Sequence, residues 1–497
     1  VEYAQPRYRM HSLFVPNDPL YTAQWNLQTI GMEQAWDINP GGTSSVVVAV
    51  LDSGVAYRNA VVRQTIHAYK ASATLTLPAL GLADITYAAA PDLGGPDRFV
   101  APRDFIWNDS TPLDTDGHGT HVAGTIGQLT NNGVGTAGLA FNVRIMPVKV
   151  IDSVWDEIFG SPFIGTDDVV ARGIRYAVDN GAKVLNMSIG RGGPPAPAVQ
   201  DAIGYAVRNG AFVAVAAGND FERGNVLERL AEFAPQIQGM MAVGSIGRDR
   251  QRAYYSNIAP YIEVVAPGGN QRTGGVTGGV LQQTYNFGFT DTYNNKEYGP
   301  PRFDIFAYQY LQGTSMATPH VAGLAALLYQ QGITNPAAIE AAIERFATDL
   351  GDPGKDNEYG QSSARPAANR RGSPGWQVRP FADIGVEAFT ANDSFRSIFG
   401  RPWGVVWGGG VEARPAGARW FVSGRISRFA DTGHRVFVLD HTVFDLGLPT
   451  AVSITPIEAS FGYRLRTPSA RSRSRSTMYV AGGVGWHVYS EGPATPA

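Results

Sequence analysis

Short apolar runs alternate with longer helical patterns from about residue 43 to residue 350. The first run, Ser45–Leu51, is rich in β-branched residues, which is typical of a strand that is buried on both faces. Similar runs recur at Val143–Ile151, Lys183–Met187, Ala211–Ala217, Met240–Val243 and Ile262–Ala266. Strands that alternate with helices predict a parallel sheet with helices on both faces. In such sheets, catalytic groups gather beyond the carboxyl ends of the strands.

The helices predicted between these strands have recognisable ends. Thr166 precedes Asp167 and Asp168, and acidic residues suit the partial positive charge of a helix N-terminus. Gly181 follows Asn180 at the other end, where glycine commonly terminates a helix. The pattern therefore predicts a helix between Thr166 and Gly181.

Changes in composition and period divide the rest of the chain. Residues 57–102 and 268–306 interrupt the strand-helix alternation and predict inserted surface loops with a hairpin. Residues 351–379 are rich in Gly, Pro, Ser, Asn and Arg, which is typical of a linker. From residue 380 to residue 497 apolar and polar positions alternate with a period of two, as in the run 457–465. This period predicts a small antiparallel β domain.

The composition limits the classes of protein and partner. The chain has 497 residues, of which 44% are hydrophobic and 17% charged, so a folded protein of two or three domains is expected. A net charge of -3 gives no electrostatic reason to expect nucleic acid as a partner. No uninterrupted apolar run of about 18 residues occurs, so no transmembrane helix is predicted. The absence of cysteine excludes disulfides, thiolate metal sites and a cysteine nucleophile.

Three segments carry the candidate chemistry. Asp52 directly follows the first buried strand, in Ala-Val-Leu-Asp-Ser-Gly-Val. His118 begins an apolar, small-residue helix in Asp-Gly-His-Gly-Thr-His-Val-Ala-Gly. Ser315 precedes a helix that is apolar nearly all round, in Gly-Thr-Ser-Met-Ala-Thr-Pro-His-Val-Ala-Gly. Taken singly, these residues also suit a turn aspartate, a metal-binding turn and a helix-capping serine.

Taken together, the three segments supply the chemistry of a nucleophilic serine. A serine hydroxyl attacks only when a base removes its proton and a carboxylate orients that base. A serine at a helix N-terminus also has free backbone N–H groups beside it, which favour a developing oxyanion. The combination predicts a serine hydrolase.

The three segments resemble the signature blocks of the subtilisin-like serine peptidases. Pro-Asn-Asp-Pro-Leu-Tyr near the start of the chain and Gln-Ala-Trp-Asp-Ile at residues 34–38 are most similar to the thermitase-like branch. The resemblance covers residues 14–350 and implies the subtilisin-like three-layer α/β fold, with a parallel sheet flanked by helices. It also implies a secreted serine endopeptidase, made as a zymogen, that cleaves proteins or peptides through an acyl-enzyme intermediate.

The resemblance assigns roles to four residues. Ser315 would attack the scissile carbonyl, with His118 as general base and then acid. Asp52 would hold the imidazole ring and stabilise its protonated form. Asn219, in Val-Ala-Val-Ala-Ala-Gly-Asn, matches the asparagine that donates to the oxyanion.

The resemblance also locates the S1 subsite, which holds the substrate side chain before the scissile bond. Residues near 233–235 should form its floor. We expect Glu232 to approach this floor and to favour a basic substrate residue. The two walls would be Ser188, Ile189 and Gly190 on one side, and Ala216, Ala217 and Gly218 on the other.

Two loops are similar to calcium-binding loops of this branch, and calcium prefers clustered hard oxygens. The first loop has Leu113 where that branch has a polar ligand; its candidate ligands are Asp104, Asp109, Thr111 and Asp114. A second site lacks the acid that this branch has soon after the catalytic aspartate, since residues 59–61 are Asn-Ala-Val. Its candidate ligands are Asp18 and the side chain of Asn132, with carbonyls of Leu129, Val134 and Thr136.

The two ends of the chain predict processing and attachment. Residues 1–13 are expected to be an N-terminal arm or the last strand of an inhibitory prosegment, which maturation would remove. The alternation, aromatic strand ends and glycines of residues 380–497 resemble part of a bacterial outer-membrane barrel. Fewer than the required eight or so strands are predicted, so a truncated barrel and a small soluble sandwich both fit, the former slightly better.

Three functional classes are consistent with the sequence. The first is an active peptidase, a bacterial-type extracytoplasmic monomer. The second is a surface-displayed binding protein that keeps the fold without turnover. In the third, the C-terminal β domain anchors the peptidase to the cell surface or outer membrane, and membrane association is expected only through that domain. The intact set of Asp52, His118, Ser315 and Asn219 favours the first class.

Overall fold

The computed structural model divides into two units, the first ending at residue 367 and the second beginning at residue 368. The structure describes residues 14–194, 196–290, 299–352, 354–360, 376–388, 396, 399, 401, 403–415, 420–439, 442–466 and 478–493. The predicted arm, residues 1–13, lies outside the described residues, as do residues 361–375 of the predicted linker.

The first unit contains helices and strands in alternation. The helices are α1 Trp25–Thr29, α2 Met32–Ile38, α3 His118–Gly127, α4 Val154–Phe159, α5 Asp167–Asp179, α6 Pro197–Arg208, α7 Gln271–Gly274, α8 Phe287–Thr290, α9 Thr314–Gln330 and α10 Pro336–Phe346. The strands are β1 Val47–Asp52, β2 Ala60–Ile66, β3 Tyr69–Lys70, β4 Thr76–Leu77, β5 Gly81–Tyr87, β6 Arg103–Asp104, β7 Arg144–Lys149, β8 Val184–Met187, β9 Phe212–Ala216, β10 Met240–Ile246, β11 Val264–Pro267, β12 Val280–Tyr285 and β13 Phe306–Leu311.

β1 lies inside a seven-stranded parallel sheet of the described residues, ordered β11-β10-β9-β8-β1-β7-β6. Its residues alternate between two apolar cores: Val48 and Val50 face one, and Ala49 and Leu51 face the other. Helices α3 and α9 contribute to the first core, whereas α5 and α6 contribute to the second. The predicted α/β fold, a parallel sheet with helices on both faces, is confirmed.

α5 ends where its sequence signals predict. It begins at Asp167 after Thr166 and ends at Asp179, and Gly181 beyond it has a φ of 92°. Residues such as Val170, Ile174 and Ala177 on its inner face are buried, so the helix is stabilised mainly by packing on the sheet.

The two inserted segments differ from each other. β2 and β5 pair antiparallel, as the predicted hairpin requires, and alternate residues of β2 are exposed. β12 pairs antiparallel with β13, but every residue of β12 is buried. The prediction of a surface loop was therefore wrong for residues 280–285, because β12 packs against α3: Thr284 Oγ1 donates to Gly117 O at 2.6 Å.

The first unit continues beyond residue 350, where the linker was predicted to begin. Ala259 N donates to Asn357 O at 3.0 Å, and Arg252 N donates to Tyr359 Oη at 3.1 Å. Residues 354–360 are thus attached to the first unit by a backbone hydrogen bond and by the Tyr359 side chain.

The second unit contains an antiparallel sheet, as predicted for residues 380–497. Its described strands, in sheet order, are β14 Trp376–Ala388, β15 Trp403–Pro415, β16 Trp420–Leu439, β17 Thr442–Arg466 and β18 Met478–Pro493. Strand pairing places a set of exposed apolar side chains on one face. The set is Ile384, Trp407, Val411, Val422, Ile426, Ile457, Phe461, Val484 and Trp486. None of the helices in the described part of the chain has both the length and the apolar character that a membrane crossing requires.

Candidate active site

The candidate site lies at the carboxyl end of β1, where the starts of α3 and α9 meet it. Asp52 is the last residue of β1, His118 is the first of α3 and Ser315 is the second of α9. The approach of α3 to β1 requires Gly119, because a Cβ there would collide with the Gly54 carbonyl oxygen and lie 3.1 Å from Asp52 Cβ. The glycine after His118 therefore brings the imidazole to the end of the strand.

Asp52 and His118 form a buried hydrogen-bonded pair. His118 Nδ1 lies 2.7 Å from Asp52 Oδ1, and the Asp52 carboxylate is fully buried, while the His118 side chain keeps 26% of its surface exposed. Burial favours the neutral imidazole, but the negative charge of Asp52 and its hydrogen bond outweigh burial and raise the His118 pKa to about 9. Asp52 therefore fixes the ring and stabilises its protonated form.

Ser315 lies beside two potential oxyanion donors. Asn219 Oδ1 accepts hydrogen bonds from Thr314 N at 2.8 Å and from Thr314 Oγ1 at 3.0 Å, which orients its amide. A Cβ at Gly313 would lie 3.7 Å from Asn219 Nδ2 and 3.6 Å from Ser315 N, so both nitrogens border the same space. A φ of 156° at Gly313 leads the chain into this turn.

The Ser315 hydroxyl is held by a neighbouring strand end in the structure. Ser315 Oγ donates to Ser188 O at 3.2 Å, and Ser188 Oγ donates to Ser315 O at 2.8 Å. No hydrogen bond joins Ser315 Oγ to His118 among the described residues, and such catalytic hydrogen bonds often tighten only when substrate binds. The pair of bonds places residues 188–190 alongside the nucleophile.

The predicted S1 floor does not contain the Glu232 carboxylate. Glu232 Oε2 pairs with Arg229 Nη1 at 2.7 Å in the turn before β10. A different acid, Glu228, lies against both expected walls: its side chain is the nearest group to a Cβ at Gly190 and lies 3.2 Å from a Cβ at Gly218. Glu228, and not Glu232, is thus the acid that reaches these residues, because the chain between the 3-10 turns at 221–223 and 231–236 is irregular and its sequence does not reveal which side chain points inward.

Asp114 organises the start of α3 and has no free oxygen for calcium. Its Oδ1 accepts from Ser53 Oγ and from the backbone N–H groups of Asp116 and Gly117, at 2.9–3.0 Å. Its Oδ2 accepts from Thr120 N at 3.0 Å and from Thr120 Oγ1. Asp114 therefore positions His118 by tying the first turn of α3 to the residue after Asp52.

The remaining oxygens of the first predicted calcium loop do not converge. Asp104 Oδ1 accepts from Ile106 N and Trp107 N, Asp109 Oδ1 accepts from Thr111 N, and the described residues contain no group of three acids that could hold a metal ion. A buried ammonium group contacts the loop beside these residues. Lys149 Nζ donates to Leu113 O at 3.1 Å and to Thr115 Oγ1 at 2.7 Å. The ligand set Asp104, Asp109, Thr111 and Asp114 does not fit calcium.

The buried Lys149 is neutralised by Asp156. Lys149 Nζ lies 2.8 Å from Asp156 Oδ2, and both side chains are fully buried. Asp156 also accepts from Trp107 Nε1 at 2.8 Å, Thr115 Oγ1 at 2.6 Å and Ser153 N at 2.9 Å. Burial raises the Asp104 pKa to about 7, against the opposing charge of Lys149. The cluster joins the loop before α3 to β7 and α4.

The second predicted calcium site contains an acid that sequence analysis missed. Asp92 is fully buried, and its Oδ1 accepts from Asn132 Nδ2 at 2.8 Å while its Oδ2 accepts from Thr136 N at 3.3 Å. Asp18 approaches the same loop and accepts from Asn131 N at 2.6 Å. No basic side chain among the described residues pairs with either carboxylate. Burial raises the Asp92 pKa, more than its hydrogen bonds lower it.

The two other histidines in the signature segments are interior residues. His121 Nε2 lies 3.1 Å from Val280 O, and burial lowers the His121 pKa to about 3. His320 Nε2 lies 2.9 Å from Asn26 Nδ2, and burial lowers the His320 pKa to about 4. Both stay neutral near pH 7 and lie away from the nucleophile, as expected for packing residues.

The chain matches known proteins over the first unit. A family model described as the subtilase family matches residues 43–362. The chain is 33% identical to the thermophilic serine proteinase of Bacillus sp. (strain AK1) over 363 residues, 73% of this chain and 71% of that protein. It is 34% identical to thermitase of Thermoactinomyces vulgaris over 342 residues, 69% of this chain and 94% of thermitase.

A third relative and a solved structure agree with these matches. The chain is 32% identical to the extracellular protease of Xanthomonas campestris pv. campestris over 355 residues, which are 69% of this chain and 54% of that protein. A solved protease from Pseudoalteromonas arctica aligns with a TM-score of 0.51 and 30% identity, over 70% of this chain and 96% of the other. The similarity thus covers the unit that contains Asp52, His118 and Ser315.

Proposed function

The chain belongs to the subtilase family and is a serine endopeptidase, and from this premise we propose that Asp52, His118 and Ser315 form its catalytic triad. The observation that carries the proposal is the buried hydrogen bond of 2.7 Å between Asp52 and His118 at the strand end beside Ser315. A non-catalytic binding protein would have no need of a buried carboxylate that orients a partly exposed imidazole.

In the proposed mechanism, His118 donates its Nδ1 proton to Asp52 in a hydrogen bond, which leaves the Nε2 lone pair to accept a proton from Ser315 Oγ. The serine oxygen attacks the scissile carbonyl, and the imidazolium then gives the proton to the leaving amine. Water repeats the sequence on the acyl-enzyme. Asp52 stabilises the imidazolium at each stage because its carboxylate is buried and negatively charged.

We assign the oxyanion hole to Asn219 Nδ2 and Ser315 N. Both groups border the space in front of Gly313. Thr314 holds the Asn219 carbonyl oxygen, so the amide nitrogen needs no reorganisation when negative charge develops on the substrate oxygen. Removal of one such donor lowers kcat by about 100- to 1,000-fold in comparable sites.

The substrate chain is proposed to lie extended between residues 188–190 and residues 216–218, where it can pair as an added strand. Ser188 is fixed to the nucleophile by its two hydrogen bonds with Ser315. The side chain before the scissile bond would enter between these two segments.

Labelling by a fluorophosphonate probe tests the proposal. The wild-type enzyme is expected to react at Ser315, and the Ser315→Ala variant is not. The rate of labelling should rise with pH through about 9, because His118 must lose its proton before it can act as a base. A wild-type protein that does not react with the probe would contradict the assignment, and labelling at another serine would relocate the nucleophile.

We propose that calcium binds at Asp18, Asp92 and Asn132 and stabilises the fold. Two buried carboxylates without a basic partner fit a hard dication. The family resemblance would add the loop carbonyls of Leu129, Val134 and Thr136 as further oxygen ligands. Calcium here would neutralise the carboxylates and tie the segment before α1 to the segment after α3. It lies outside the chemistry of peptide hydrolysis.

Removal of calcium is expected to lower the melting temperature of the Ser315→Ala protein, which cannot digest itself. Calcium at about 1,000 times its Kd would stabilise the folded state by about 4 kcal/mol. Asp92→Asn should abolish the response to calcium, whereas the control variant Asp109→Asn should retain it because the first loop does not fit the ion. A melting temperature unaffected by both a chelator and added calcium would exclude the site.

We also propose that the protein is secreted and that any attachment to a surface involves its second unit. The name of the Xanthomonas relative describes an extracellular protein, which supports an extracytoplasmic role for this chain. Removal of an inhibitory segment within residues 1–13 stays a prediction, as does a monomeric state. Attachment to a membrane or cell surface is proposed only through the second unit, whose sheet exposes Trp407, Ile426 and Trp486 on one face.

A further inference from the structure

Glu228 is a buried carboxylate between the two proposed walls of the S1 subsite. Its residue surface is 7% exposed. A Cβ at Gly190 would meet both carboxylate oxygens, with Oε2 the nearer, and a Cβ at Gly218 would lie 3.2 Å from Glu228 Cβ. The absence of a side chain at Gly190 is what allows the glutamate carboxylate to occupy this place.

The backbone on both sides holds Glu228 in position. Oε1 accepts from Arg191 N at 2.7 Å and from Leu230 N at 3.1 Å. Glu228 N donates to Tyr261 Oη at 3.0 Å, and the same hydroxyl donates to Ala217 O at 3.0 Å. The glutamate is thus attached to one wall through Arg191 N and to the other through Tyr261.

The charge of Glu228 has no partner within the described residues. The two nearby guanidinium groups are engaged elsewhere: Arg191 Nη2 pairs with Asp167 at 2.6 Å, and Arg229 Nη1 pairs with Glu232 at 2.7 Å. Oε1 accepts both backbone bonds, and no donor among the described residues bonds to Oε2. Burial raises the Glu228 pKa to about 7, while Arg191 lowers it and Asp220 raises it by smaller amounts.

We propose that Glu228 forms the floor of S1 and that the enzyme prefers Arg or Lys as the residue before the scissile bond. A guanidinium or ammonium entering between Gly190 and Gly218 would pair with Oε2 and supply the missing cation. Hydrogen bonds to charged groups contribute about 1.5–3 kcal/mol, which corresponds to roughly 10- to 150-fold in kcat/KM. This inference rests on the proposed triad and on the placement of the substrate beside Ser188.

Matched peptide substrates test the preference. They differ only in Arg, its neutral isostere citrulline, or Phe before the scissile bond. The wild-type kcat/KM for the Arg peptide is expected to exceed that for the citrulline peptide by about 10- to 150-fold. Glu228→Gln keeps the acceptor for Arg191 N and Leu230 N but removes the charge, so it should bring the Arg-to-citrulline ratio close to one. The kcat/KM for the Arg peptide should fall by a larger factor than the kcat/KM for the Phe peptide.

Glu232→Gln is the matched control. It removes an acid four residues away that pairs with Arg229, and it should leave the Arg-to-citrulline ratio unchanged. A merely structural Glu228 would instead lower kcat/KM for all three peptides equally when replaced. If the Glu228→Gln protein does not fold, the wild-type enzyme alone tests the proposal. A wild-type Arg-to-citrulline ratio of kcat/KM near one overturns it.

Fluorophosphonate labelling separates this inference from the proposed function. A wild-type enzyme that labels at Ser315 but shows no preference for Arg over citrulline overturns the role of Glu228 and leaves the triad intact. A wild-type enzyme that does not label overturns the triad and the S1 assignment with it.

Discussion

Replacement of Ser315 by alanine is expected to lower kcat by about six orders of magnitude, with little change in KM or in the fold. The substitution removes the oxygen atom that attacks the substrate in the proposed mechanism, and no other group there can form the acyl-enzyme. The residual rate would come from the oxyanion hole and from substrate binding. Kinetics on a peptide p-nitroanilide measures kcat, and the melting temperature reports the fold.

A second variant shows whether Ser315 and His118 act as a unit. His118→Ala should cost about as much as Ser315→Ala, and the double variant should cost no more than either single one. Additive losses would mean that the two residues act in separate steps. A kcat for Ser315→Ala within tenfold of the wild-type value would remove Ser315 from the mechanism.

Replacement of Lys149 by methionine is expected to destabilise the first unit by about 3–5 kcal/mol. Methionine fills a similar volume, but it leaves the Asp156 carboxylate buried without its cation, which costs more than the pair itself contributes. Denaturant unfolding in the Ser315→Ala background measures the change without self-digestion. The difference in unfolding free energy between the Lys149→Met protein and its Lys149 parent should become smaller at low pH, because Asp156 can take up a proton there.

A charge-neutral pair provides the control for Lys149. The double variant Lys149→Met/Asp156→Asn should recover part of the lost stability, because no uncompensated charge remains and the new amide oxygen can still accept hydrogen bonds from Thr115 Oγ1 and Ser153 N. Destabilisation below about 1 kcal/mol in Lys149→Met would show that solvent reaches the cluster and screens the charge of Asp156.

The sequence could predict the fold, and it could predict that the segments with Asp52, His118 and Ser315 come together, because both depend on strong local patterns. Continuous β-branched runs define strands such as β1, and parallel packing then brings residues after those strands to one edge. His118 follows a turn and starts a small-residue helix, so its place beside Asp52 follows from the same geometry.

The proposed S1 acid and the second carboxylate of the proposed calcium site could not be found in this way. Glu228 and Glu232 lie in irregular turns between Asn219 and β10, where no period reveals which side chain points inward. Asp92 is separated from Asp52 by the β2–β5 hairpin, so its sequence position hides its proximity to Asn132. Lys149 ends an apolar strand, and its burial is stabilised by Asp156 from α4, a partner that strand patterning does not identify.

The long separation of the site residues along the chain has a consequence for the enzyme's own survival. Asp52 and His118 are 66 residues apart, and the strand that carries Asp52 pairs with β7 and β8, which are synthesised much later. A half-folded chain therefore has the side chains of the proposed triad but not their arrangement in space. Ser315 lies on α9, which follows the last strand of the parallel sheet along the chain, so the proposed triad can form, and the protein can cleave its neighbours, only after the whole sheet has been synthesised.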